Sequence, residues 1–162
     1  MSDDSFLSKE DLENISLVSV TDIRDIQMIT LEARAPEDRD EELKVQLQIG
    51  NSEFKAQHGE LLIRISARVD FFDASSREND HDPGGDQLDP TEVNPVAFIK
   101  ATYLIQLDLA PHVDPTFISV EKVNDLVEGN IIFMLYPYIR STVHRLSGEM
   151  PFPPVVIPYM RR

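Results

Sequence analysis

Apolar and polar residues alternate in four separate stretches of the chain, each with the period of a strand that buries one face. Val18 and Val20, Ile26 and Met28, then Ile29, Leu31 and Ala33 alternate with polar neighbours, and the phase slips between Met28 and Ile29. The slip predicts a long first strand with a bulge or bend at that point. Leu43, Val45, Leu47 and Ile49 alternate with Lys44, Gln46 and Gln48 in the cleanest half-buried pattern, and Gly50-Asn51 follows as a turn or bulge signal. In the third stretch Leu61, Ile63, Ile65, Ala67, Val69 and Phe71 share one face, with Arg64, Ser66, Arg68 and Asp70 on the other. In the fourth, Ile99, Ala101, Tyr103, Ile105, Leu107 and Leu109 oppose Phe98, Lys100, Thr102, Leu104 and Gln106. That second face is mixed, so only partial cover is expected there. Amphipathic strands of this kind suit antiparallel pairing.

After Pro111 and Pro115 the period changes. Ser119 can cap a short helix whose Val120, Val123, Leu126 and Val127 recur at helical spacing, and Gly129-Asn130 can end it. A second helix carries Tyr136, Ile139, Val143 and Leu146 on one stripe and closes at Ser147-Gly148, while Pro137 opens it or kinks it. From Ile131 to Leu135, and on through Tyr136 and Tyr138, large apolar side chains occur all round the helix. A surface helix of a small monomer would show polar positions there. Ile131, Phe133 and Tyr136 are therefore read as an interface between subunits rather than within one. Four strands followed by two helices predict an α+β fold, a four-stranded antiparallel sheet with both helices on one side.

Three segments fall outside these periods. Residues 1–14 read as a mobile acidic leader, 15–162 as a single domain, and 73–95, rich in Asp, Asn, Gly and Pro, as a flexible acidic insert within it. The third is the strap after the second helix, where Pro151, Pro153, Pro154 and Pro158 alternate with Phe152, Val155, Val156 and Ile157. Proline fixes φ and lacks an N–H, so this segment is extended and cannot be helix or central strand. It either closes over the protein's own core or forms one wall of a groove.

Composition narrows the function classes. At 162 residues with 41% hydrophobic content the chain can bury one core. A mean hydropathy of -0.24 and the lack of a long apolar run exclude a membrane-spanning helix. The start, Met1-Ser-Asp-Asp-Ser-Phe6, is acidic where a signal peptide needs positive charge, so a cytoplasmic protein is expected. A net charge of -14 repels phosphate backbones and makes nucleic acid an unexpected partner. With no cysteine there is no disulfide, thiolate metal site or thiol nucleophile. Asn79-Asp80-His81-Asp82 gathers hard ligands before Gly84 and Gly85, but Pro83 interrupts the run and Glu92 misses the closing position of a calcium loop. A solvated insert explains these residues as well. His58, His112 and His144 stand alone, and neither a phosphate loop nor a Gly-x-Ser-x-Gly elbow occurs. Neither an enzyme nor a cofactor or metal is expected.

The order of these features resembles the SecB family of export chaperones. Four strands, a short helix, a helix with Tyr136-Pro137-Tyr138-Ile139-Arg140, then Gly148 and a proline-bearing crossover all follow that family's sequence. The stretch Ile23 to Ala33 looks like its first strand. The chain is more similar still to the SecB-like chaperones encoded beside toxin–antitoxin pairs, which also carry a Leu-Tyr-Pro-Tyr-Ile-Arg segment.

This resemblance implies an ATP-independent holdase, assembled as a dimer of dimers, that holds unfolded clients or an antitoxin in surface grooves. It implies a peptide-binding groove of Phe98 and Leu104 with Phe152, Val155 and Ile157, in which Lys100 and Thr102 make the strand side more polar than in export SecB. Of three acids by which export SecB meets the ATPase SecA, two positions hold Met28 and Ala101 and one keeps a carboxylate, Glu32. SecA is therefore at most a weak partner. A reading from another class, a scaffold using the same fold to assemble one dedicated partner, stands beside the chaperone reading.

Overall fold

The computed structural model describes residues 6–35, 43–73, 94–150, 155 and 157. Its frame is one antiparallel sheet of four long strands, β1 (Thr21–Arg34), β2 (Leu43–Gln57), β3 (Glu60–Asp73) and β4 (Ala97–Leu109). They lie in the order β1-β4-β3-β2, so β1 and β2 are edges and the two most apolar strands are central. The phase slip in β1 is a bulge, since the register with β4 shifts between Met28 and Thr30, and a second shift falls between Ile23 and Asp25. In β2 the Gly50-Asn51 signal does not end the strand. Pairing with β3 skips a residue between Asn51 and Glu53 and continues to Gln57. His58 and Gly59 then join β2 to β3, with Gly59 at φ 75, a left-handed conformation that glycine adopts without strain.

The expected inward faces of β3 and β4 are the core. Leu61, Ile63, Ile65, Ala67, Val69 and Phe71 are buried beside Ala97, Ile99, Ala101, Tyr103, Ile105 and Leu107. Helices α2 (Val120–Leu126) and α3 (Ile132–Glu149) contribute Val123, Leu126, Leu135, Tyr136, Ile139 and Val143 to the same cluster. Tyr103 reaches α3 by donating its hydroxyl to Thr142 Oγ1 at 3.3 Å, and burial pushes its phenol above the usual range.

Four local expectations change. Lys9–Asn14, assigned to the leader, is a helix, α1, whose Ser8 and Asp11 form a reciprocal capping box. It anchors Leu12, 1% exposed, in the core, and Lys122 Nζ donates to the carbonyls of Glu13 and Ile15 at 3.1 and 2.8 Å. Val18 and Val20 precede the first strand. Ser16 caps a 3-10 turn over Leu17–Ser19, so burial there falls on Leu17 and Val20 while Val18 faces out. Gly129 does not end the first of the two later helices, because a π-helical turn over Val127–Ile131 carries α2 directly into α3. Pro137 lies inside α3 rather than opening it, whereas the helix ends at Glu149, one residue past the expected Ser147-Gly148 close.

Candidate functional site

Two surfaces offer apolar side chains to a partner, and they lie on different parts of the sheet. The first is the face of β4 opposite the core, where Phe98 and Leu104 are each half-buried. They are six residues apart on one strand, about 20 Å at a strand's rise, so an extended segment of ordinary strand length would span both. Leu104 is flanked by Gln27 on β1 and Arg64 on β3. Phe98 lies between Arg34 on β1 and Asp70 on β3. The guanidinium carbons of Arg34 and Arg68 stand 5.5 and 4.7 Å from its ring centre. Arg68 Nε donates to both oxygens of Asp70, at 2.8 and 3.0 Å, and Arg34 donates to the Pro95 carbonyl. Between these two apolar positions Thr102 Oγ1 and Ser66 Oγ lie 3.2 Å apart. At the far end Arg24 bridges Glu60 and Asp108. Lys100, Thr102 and Ser66 thus place polar groups between and beside the two apolar positions.

Among the described residues the strap is tied to α3 by a side-chain hydroxyl and packs on the core. Ser147, fully buried on α3, accepts the Val155 N–H at 2.9 Å, and its own hydroxyl lies 3.2 Å from the His144 carbonyl. Val155 is half-buried against the core and Ile157, 5% exposed, belongs to it. Of the five residues assigned to the groove, Phe98 and Leu104 project from one face of β4, whereas Ile157 joins the core cluster that the opposite face of β4 lines. Phe152 lies outside the described residues, as does the Asn79 to Glu92 stretch. Among the described residues no group of three or more His, Cys, Asp or Glu could hold a metal ion.

The second surface is the β1 edge, where Met28, Ile29 and Leu31 are 42, 41 and 38% exposed. The other edge, β2, carries Lys44, Gln46, Gln48 and Lys55 alongside its one exposed large apolar residue, Val45. Lysine on an edge discourages pairing, so the two edges differ in kind. Glu32 projects beside Lys100 on the same face as Phe98, whereas Met28 and Ala101 lie in register with the core face.

The expected oligomer residues divide as well. Ile131, 1% exposed, and Tyr136 are buried by the subunit itself, Phe133 is half-buried, and Met134 and Tyr138 are the exposed apolar residues of α3. Burial of Ile131 and Tyr136 within the subunit runs against their reading as residues buried between subunits. Ile131 stands one helical repeat before Leu135, Ile139 and Val143, and that row faces the sheet. Ser147 continues the same row at four-residue spacing, which is the signal by which its burial was legible. The stacking of Arg34 and Arg68 on Phe98 had no such signal, because it depends on which strands are neighbours.

No protein-family profile and no curated protein matches the chain. Among solved structures it is similar to the SecB-like chaperone Rv1957 of Mycobacterium tuberculosis in complex with a ChAD peptide from the HigA1 antitoxin, at 20% identity and a TM-score of 0.68. That likeness covers 90% of this chain and 94% of the other. A protein of unknown function from Streptococcus agalactiae aligns at 10% identity, with a TM-score of 0.34 over 86% of this chain and 97% of its own. The chain has the SecB-like fold, with helices on an antiparallel sheet as its sequence implied.

Proposed function

We propose that this protein is an ATP-independent holdase that binds extended, non-native segments of other proteins, an antitoxin among them, in the cytoplasm. The observation that carries the reading is the β1 edge, where three large apolar side chains stand exposed on a strand that pairs with β4 on one side and, among the described residues, with no strand on the other. Unfolded segments present alternating apolar side chains and unpaired backbone, and such an edge offers both complements. The SecB-like fold supports the same reading, since the similar chaperone Rv1957 is in complex with a peptide from an antitoxin. Phe98 and Leu104 offer a second binding patch on the outer face of β4, Phe152 and Val155 supply a strap on the core side of the sheet, and Ile157 fixes that strap from within the core. Antitoxin control is favoured over general export, because Glu32 alone remains of the acids expected to meet SecA. Neither a catalytic step nor a cofactor is assigned. Copies of the chain assemble as a dimer of dimers, with Met134, Tyr138 and Phe133 of α3 among the residues that meet.

Isothermal titration of an unfolded client or an antitoxin peptide tests the reading. Truncating a side chain that becomes largely buried on contact should weaken binding by about 1 to 3 kcal/mol. The double variant Phe152→Ala, Val155→Ala should therefore bind more weakly while keeping its fold by circular dichroism. Equal affinity in a folded double variant removes the strap from the site, and absence of binding to the parent removes the holdase reading altogether.

A further inference from the structure

The chain carries an excess of 14 negative charges, yet among the described residues the cations around Phe98 outnumber the carboxylates. Two neighbouring rows of the sheet hold them, Arg34–Phe98–Asp70 and Glu32–Lys100–Arg68, each running across β1, β4 and β3. Asp70, 5% exposed, is already taken by Arg68 Nε at 2.8 and 3.0 Å. The Nη groups of Arg68 and the ammonium of Lys100 have no partner among the described residues, and Arg34 gives only one donor, to the Pro95 carbonyl. Stacking on one ring, at 5.5 and 4.7 Å, holds both guanidiniums in place with part of each planar fork still open, the Nη groups of Arg68 above all. Such forks match a carboxylate bidentately, and holding them beforehand lowers the entropy lost on binding.

The geometry points to a carboxylate-binding position built from Arg34, Arg68 and Lys100 around Phe98, which selects client segments that carry Asp or Glu next to an apolar residue. This inference rests on the holdase reading and adds a rule for which segments are held. An apolar client residue covers the exposed part of the Phe98 ring, and the neighbouring carboxylate supplies the missing negative charge. Repulsion between the two stacked guanidiniums falls when that charge arrives, so the acid is bound rather than tolerated. Client acids elsewhere on the segment meet the protein's own negative surface and gain nothing.

Two synthetic peptides alternating Leu and Ser, identical except for one central Glu or Gln, read the preference directly by titration calorimetry. The parent should bind the Glu peptide about fivefold more tightly at low salt, as an exposed charge-assisted pair predicts. The preference should shrink towards none at about 1 M salt. The double variant Arg34→Gln, Lys100→Gln touches no buried ion pair, so it should fold normally and bind the Glu and Gln peptides alike, whatever its affinity for either. Arg68→Gln should lose the preference too, with folding followed separately because Asp70 then lacks its partner. Equal binding of both peptides by the parent overturns the inference and leaves the holdase reading standing, as does a preference that survives in the double variant. If neither peptide binds the parent, the holdase reading fails and takes the inference with it.

Discussion

Ser147 holds the strap to the body of the protein through one hydroxyl that accepts the Val155 N–H and lies within bonding distance of the His144 carbonyl. It is fully buried, so removing the oxygen leaves Val155 with a donor that water cannot easily reach. Ser147→Ala should cost about 1 to 3 kcal/mol in a denaturant titration and should speed proteolysis within the strap. An unchanged midpoint would mean that the strap does not depend on this serine. Leu12 makes the parallel case at the other end of the chain. Its side chain is 1% exposed in the core, and Leu12→Ala should cost about 2 to 5 kcal/mol, whereas Phe6→Ala, at a residue that stays exposed, should change little. Comparable effects of the two substitutions would return α1 to the mobile leader that the acidic sequence implied.

At the scale of elements, strand existence and facing were legible because alternation over six or more positions survives any tertiary arrangement. The inward faces of β3 and β4 are the core residue for residue, and the Met28–Ile29 slip is a real bulge. Element ends were less legible. Gly129 is a sound stop signal in isolation, but Leu126, Val127 and Ile131 are all buried, and packing against the sheet carries the helix through a π turn. Strand order is a long-range property with no local signature, so the neighbours of Phe98 could not be read in advance. The two apolar outer positions of β4 were found by pattern, while the cations stacked on one of them required the fold.

The connection between β3 and β4 belongs to this scale too. Val96 N donates to the Phe71 carbonyl at 2.9 Å, so the two strands are tied at the point where residues 74–93 leave and return. That stretch itself lies outside the described residues. Replacing it by a short Gly/Ser linker should shift the melting temperature by no more than about 2 °C, since loop closure depends only weakly on length. A larger fall would assign the stretch a structural role that its composition does not indicate.

For the whole molecule, the main question is where the remaining exposed apolar surface goes. Met134 and Tyr138 follow one another at one-turn spacing on α3, and Met28, Ile29 and Leu31 line the β1 edge. A small protein rarely leaves so much apolar surface to water without a partner. On the proposed function, copies meeting through α3 would cover the first group and clients the second. Met134→Asp with Tyr138→Asp should convert a tetramer to smaller species in light scattering coupled to size exclusion, because a buried unpaired carboxylate costs several kcal/mol, about 3 to 5 in comparable cases. A parent protein that remains a monomer at high micromolar concentration would contradict the assembly.

The central claim is that the protein holds unfolded chains of many sequences by apolar area and free backbone, without nucleotide. Its most direct test is light scattering from several unrelated proteins diluted out of denaturant, with and without this protein and with ATP absent. The account predicts that aggregation is suppressed for all of them, in proportion to the amount of protein added. Failure to suppress any of them would contradict it, and protection of a single partner alone would replace the holdase with a scaffold dedicated to that partner.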